Sequence, residues 1–99
     1  LSGSGPAYVF HLVECMAAAG AAAGLPRDLA ERLARATVEG AGELLHRSDL
    51  SPATLRQNVT SPGGTTAAAL SVLMGQRGLE PLVTEAIAAA KRRAAELSG

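Results

Sequence analysis

Bulky aromatic side chains are nearly missing from this 99-residue chain, which has no Trp, one Tyr and one Phe. Such side chains usually supply much of a core's buried area. Their scarcity leaves two ways to bury surface: helices approaching closely over small residues, or apolar faces covered by another chain. Both stay open at the level of sequence. Cysteine is reduced to Cys15, which rules out an intrachain disulfide and suits a reducing compartment. Cys15 itself reads as a small apolar residue on a helix. No charge of either sign is in excess, since nine Lys and Arg balance nine Asp and Glu. No global field therefore draws nucleic acid or an anionic membrane to the chain. No apolar run approaches the roughly 18 residues that span a bilayer. The start lacks the basic and then apolar pattern of a secretory signal. The cytoplasm is the expected compartment. Strand-like alternation, internal repeats and low-complexity linkers are also missing.

What is present is small and helical. Twenty-one alanines and eleven glycines fill the chain, and its length predicts one domain. Pro6 suits a first helical position, with Ser4 or Gly5 as cap, and the apolar spacing of Val9, Phe10, Val13, Met16 and Ala17 carries a helix to about Gly20 or Gly24. So abrupt a start suggests a chain cut from something longer. Leu25-Pro26 restarts a helix with Asp28 in its first turn, where the dipole favours an acid. Its exposed side is laced by Asp28/Arg32, Glu31/Arg35 and Glu43/Arg47. If continuous to Arg47 it is about 33 Å long, which roughly equals the diameter of a compact domain of this size. So long a helix hints at a partner subunit. Ser51-Pro52 predicts a cap and first position for a short helix to about Asn58. A helix to about Arg77 closed by Gly78, and a last one opened by Glu80-Pro81, complete the pattern. The expected fold is all-α, with about five helices.

The chain is organised around Val59-Thr60-Ser61-Pro62-Gly63-Gly64-Thr65-Thr66. Two adjacent glycines permit positive φ and close approach of a ligand to the main chain. The helix that follows leaves its first amides unpaired, with the positive end of its dipole behind them. That is an anion site, to which Thr65 and Thr66 add hydroxyls. The alternative is a plain helix–helix turn capped by one of the threonines. A Walker loop is excluded, because no Lys follows the glycines and no strand precedes them.

Elsewhere the chain offers little chemistry. His11 and His46 fall on different helices without Cys, Asp or Glu at ligand spacing, so no metal site is expected. His11 reads as a partly buried helical histidine and His46 as a dipole partner at a helix end. Glu14, on an otherwise apolar helix, is either a buried acid or a solvent-side one. Lys91, Arg92 and Arg93 form too short a run for nucleic-acid binding. No nucleophile with a base, and no acid pair, is present.

Three blocks carry a resemblance. Ser2-Gly3-Ser4-Gly5-Pro6-Ala7-Tyr8, Gly24-Leu25-Pro26-Arg27, and Leu55-Arg56 with Val59-Thr60-Ser61-Pro62-Gly63-Gly64-Thr65-Thr66 followed by Leu70 and Leu73 resemble pyrroline-5-carboxylate reductase. The likeness runs the whole chain in order. The region resembled is the C-terminal helical dimerisation domain, residues 1–99, with the N-terminal Rossmann domain absent. The resemblance implies a fold interlocked with a partner chain, as in the 6-phosphogluconate dehydrogenase C-terminal-like group, and homodimers stacked into larger rings. It implies NADPH- or NADH-dependent reduction of 1-pyrroline-5-carboxylate to proline in the intact enzyme, with the cofactor bound mainly by the missing domain. It further implies that Ser61, Gly63, Gly64 and Thr65 hold the substrate carboxylate, and that Thr66 hydrogen-bonds the ring nitrogen. Residues 2–8 are placed by the same likeness near the catalytic cleft. Met74 departs from the pattern, standing where the family usually carries an acidic or amide residue. Alone, the chain is expected to reduce nothing. Two other classes fit less of the sequence: a non-catalytic helical dimerisation module, and the helical domain of a 3-hydroxyacid-type dehydrogenase. The latter typically uses a helix lysine, and Lys91 is far from the turn in sequence.

Overall fold

The computed structural model describes residues 1–99. Five α-helices and no strand make it up, as the periodicity predicts: α1 (Gly5–Ala22), α2 (Arg27–Arg47), α3 (Pro52–Asn58), α4 (Thr65–Leu73) and α5 (Leu79–Ser98). The chain divides into two compact units, Leu1–Leu50 and Ser51–Gly99.

The first unit is a helical hairpin of α1 and α2, the main helix–helix pairing in the molecule. Ser4 takes the N-cap position of α1, yet its side chain does not cap; its Oγ lies 2.5 Å from the Tyr8 hydroxyl instead. At the other end Gly24, at φ +113°, forms a Schellman motif: its amide donates to Ala21 O at 3.1 Å, and that of Leu25 to Gly20 O at 3.1 Å. Leu25 then folds over Gly20, where α1 crosses α2 closely. A Cβ on Gly20 would lie 3.2 Å from that of Ala30. Ala30 and Ala34 are the buried apolar residues, at 3% and 5% exposure. The seam is thus made of small residues, the first of the two solutions that scarce aromatics allow. Helix α2 is continuous, with 21 residues and Asp28 in its first turn. Of the three ion pairs expected along it, Glu43–Arg47 forms, while Asp28/Arg32 and Glu31/Arg35 stay apart on the solvent face.

In the second unit Ser51 caps α3, its Oγ accepting from the Thr54 amide at 3.1 Å. Helix α4 is shorter than the sequence suggests. It ends at Leu73, and Gly78 is not its C′ residue but the N-cap of α5. Gly75 and Gly78, both weak helix formers, let the chain leave the helix one turn early. The Gly75 amide donates to Val72 O and that of Gly78 to Gly75 O, which closes the connecting turn. Gly78 has φ −83°, so its need for glycine is steric: a Cβ there would lie 2.1 Å from Leu73 O.

The solvent-accessible surface is 8008 Å² for a 10.0 kDa chain. Two separate globules of half that mass would together expose only about 6,300 Å². Much of the surplus is apolar, including Phe10 on α1, Leu44 on α2, Val72 on α4 and Leu97 on α5, each more than half exposed.

Candidate functional site

The turn before α4 shows how its sequence works. Ser61 O accepts from the Gly64 amide at 3.1 Å, with Pro62 and Gly63 at the corners and Gly63 at φ +72°. This is a type II turn, in which proline presets the first corner and glycine supplies the positive φ of the second. Gly64 then enters the helix as N-cap, extended at φ −88° and ψ −174°, with no side-chain cap. The threonine cap considered from sequence is therefore not formed. Neither Thr65 nor Thr66 caps the helix it begins. Gly64 has a steric reason to lack a side chain, since a Cβ would sit 3.3 Å from Ser61 O.

The Gly64 amide is used by the turn, and the first bond inside the helix runs from Ala68 N to Gly64 O at 3.1 Å. Between them the amides of Thr65, Thr66 and Ala67 find no acceptor in the chain. They sit at the positive end of the helix dipole, where a carboxylate or other small anion is favoured. Ser61, Pro62, Gly63 and Thr65 are exposed, and Gly64, Thr66 and Ala67 half-buried. The structure so brings together Ser61, Gly63, Gly64, Thr65 and Thr66 in one turn. Within the turn the Ser61 carbonyl and the Gly64 amide bond each other, while the amides of Ser61 and Gly63, like those of Thr65, Thr66 and Ala67, find no acceptor in the chain. Ala67 joins the donors through its main chain alone. Its apolar side chain gave no sign of this in the sequence, and only placing the N-cap at Gly64 counts it in. Beside the turn lies a groove of about 390 Å³ lined by Thr60, Ala67, Leu70, Met74 and others, in which Arg56 is the one charged residue. Met74 is the exposed C-cap of α4.

The remaining candidates lie on α1. His11 is exposed rather than partly buried: its Nδ1 lies 3.1 Å from Glu14 Oε1 and its Nε2 3.5 Å from Cys15 Sγ. Glu14 faces solvent, resolving the two readings of it. Spacing of three and four residues puts the trio on one helical face, which is the signal that pairwise ligand spacing overlooked. His46 lies in the last turn of α2, as a dipole partner should.

A dinucleotide site needs a strand, a glycine-rich loop and a helix in succession. Five helices joined without any strand do not contain that unit. No helix is long and apolar enough to cross a membrane.

Comparison with known proteins points one way. The family described as pyrroline-5-carboxylate reductase dimerisation matches residues 1–97. Pyrroline-5-carboxylate reductase of Synechocystis is 47% identical over 97 residues, covering 98% of this chain and 36% of that protein. The enzyme of Pisum sativum is 48% identical over 98 residues, covering 99% and 36%. The crystal structure of Plasmodium falciparum pyrroline carboxylate reductase with NADP bound is similar over 74% of this chain and 29% of that one, with a TM-score of 0.69 and 41% identity. The chain spans about a third of the length of the curated relatives it matches.

Proposed function

Because this chain belongs to the pyrroline-5-carboxylate reductase dimerisation family, we propose that it is the C-terminal, substrate-holding and self-associating part of an enzyme that reduces 1-pyrroline-5-carboxylate to proline. The observation that carries the reading is the run of unpaired amides at Thr65, Thr66 and Ala67 behind a type II turn. A five-membered imino acid offers those amides its carboxylate, leaving its ring to lie along Thr66. The Thr66 hydroxyl, which caps nothing, is then available to the ring nitrogen. Fixing one end of the substrate and its nitrogen orients the imine carbon, and orientation is the protein's share of such a reaction. Hydride comes from NADPH or NADH held by a nucleotide-binding domain outside this chain. The cytoplasm is the proposed compartment, and a homodimer the proposed assembly.

The test is kinetic, in an enzyme that joins this chain to a nucleotide-binding domain. Removing a hydrogen bond to a charged or polarised group costs about 10- to 100-fold, so Thr66→Ala should lower kcat/KM by that factor. Gly64→Val, which forces the turn away from Ser61 O, should do at least as much. Unimpaired kcat/KM in both variants would remove the site assignment.

A further inference from the structure

His11, Glu14 and Cys15 on α1 form a cluster of titratable side chains for which the proposed reaction has no use. Spacing of three and four residues sets all three on one exposed face of an 18-residue helix. Glu14 Oε1 lies 3.1 Å from His11 Nδ1. An ionised carboxylate only accepts, so Nδ1 carries the ring hydrogen and Nε2 keeps its lone pair. Cys15 Sγ stands 3.5 Å from that Nε2, with the thiol hydrogen between them.

We infer that His11 Nε2 and Cys15 Sγ together hold one soft divalent cation of the zinc class, in place of that hydrogen. Zinc bonds nitrogen at about 2.0–2.1 Å and sulfur at about 2.3 Å, and a tetrahedral angle between the two bonds sets the donor atoms about 3.6 Å apart. The pair already stands at 3.5 Å, so little has to move. As the sulfur–metal bond forms, the S–H bond breaks and the proton leaves to water. Glu14 stays on the far nitrogen, in the carboxylate–histidine–metal arrangement that fixes the ring and raises its basicity. Ligands one turn apart on a helix can grip the same zinc ion, as paired histidines do.

No group of three metal-ligating side chains is gathered in the chain. Two protein ligands therefore hold the ion and water fills its other positions, which makes the site open and exchangeable. The surroundings favour a cation, since the groove beside this face carries Glu14, Glu31 and Glu39 against Arg35 alone. Calcium and magnesium fit poorly, because they want several oxygen ligands and this pair offers nitrogen and sulfur. A reactive thiol would use the same two residues, and the experiment separates the two cases. No residue of the cluster belongs to the turn before α4, so the inference stands apart from the carboxylate site.

The test is a cobalt(II) titration of the full chain, kept reduced by a phosphine in a non-chelating buffer and read by thiolate-to-cobalt charge-transfer absorption. One cobalt per chain should bind saturably below about 1 mM, and zinc, held more tightly by such ligands, should bleach the band. His11→Ala and Cys15→Ser should each weaken binding by about tenfold or more, and Glu14→Ala, which frees the ring, by about tenfold. His46→Ala, on α2, should leave it within about twofold. With no variant at all, zinc should slow alkylation of Cys15 by iodoacetamide by about tenfold, because the sulfur that attacks is the one the metal holds. A missing band overturns the inference, as does a band unchanged in His11→Ala. One ion per two chains also overturns it, since the ligands would then come from different helices. Alkylation that depends on His11 but is indifferent to zinc makes Cys15 a reactive thiol and overturns the metal site.

Discussion

Single residues in this protein are chosen for two distinct reasons that both produce glycine. Gly63 stands at φ +72°, and nothing lies within 4 Å of where its Cβ would be. Gly64 and Gly78 have ordinary φ and lack room. The two cases make different predictions. Left-handed backbone costs a residue with a Cβ about 1–2 kcal/mol, so Gly63→Ala should lower unfolding free energy by about that much in a urea titration while the chain stays folded. Gly63→Asn should recover part of the loss, since Asn tolerates this region better than Ala. Equal stability of wild type and Gly63→Ala would mean that the turn is not type II. The sequence showed that a paired glycine would serve the turn, but not that Gly64 is there for space, because steric need depends on the Ser61 carbonyl folding back. It also could not reveal Ala67 as a donor, since an amide is not written in a side chain.

Among the helices, legibility follows how strongly the ends are signalled. Pro6, Pro26 and Pro52 marked the starts of α1, α2 and α3 to within a residue or so, because proline both fixes φ and tolerates the orphan amide position. The Ser51 cap likewise follows from local chemistry. The junction of α4 and α5 did not read correctly. Two glycines four residues long in span can stop one helix or start the next, and what decides is the contact of residue 78 with Leu73 O, which only the fold creates. His11 misread for a related reason. A helix flanked by apolar residues suggests burial, yet this face of α1 has nothing over it and carries the contacts to Glu14 and Cys15. Packing of α1 on α2 rests on Gly20 facing Ala30. Overpacking a close seam typically costs about 1–3 kcal/mol. Gly20→Val should therefore lower the thermal midpoint of the chain measured by circular dichroism, and Val9→Ala, at an exposed position of α1, should leave that seam intact. A Gly20→Val midpoint equal to the wild type would place the seam elsewhere.

For the molecule as a whole, the decisive quantity is exposed surface. A chain with two buried alanines as its apolar core, and Phe10, Val72 and Leu97 standing largely in solvent, needs a partner to acquire a core of ordinary size. The shortage of aromatics foretold this alternative without choosing it. The structure shows that small-residue packing accounts for the α1–α2 seam and leaves the other apolar faces open. We therefore expect sedimentation to give a dimer or larger assembly at micromolar concentration, with the helical signal falling on dilution because folding and pairing are linked. A stable, fully helical monomer would contradict this.

The claim on which the account most depends is that the free amides opening α4 bind a small carboxylic acid. Its direct measurement is a nitrogen-15 NMR titration of the full chain with L-proline at up to about 10 mM, well above the millimolar Kd expected of a site supplied by a few hydrogen bonds and no cofactor. The account predicts saturable shifts at Thr65, Thr66 and Ala67, lost in Gly64→Val and absent along α5. Amides at those three positions that do not move, while the chain remains folded and self-associated, would contradict it.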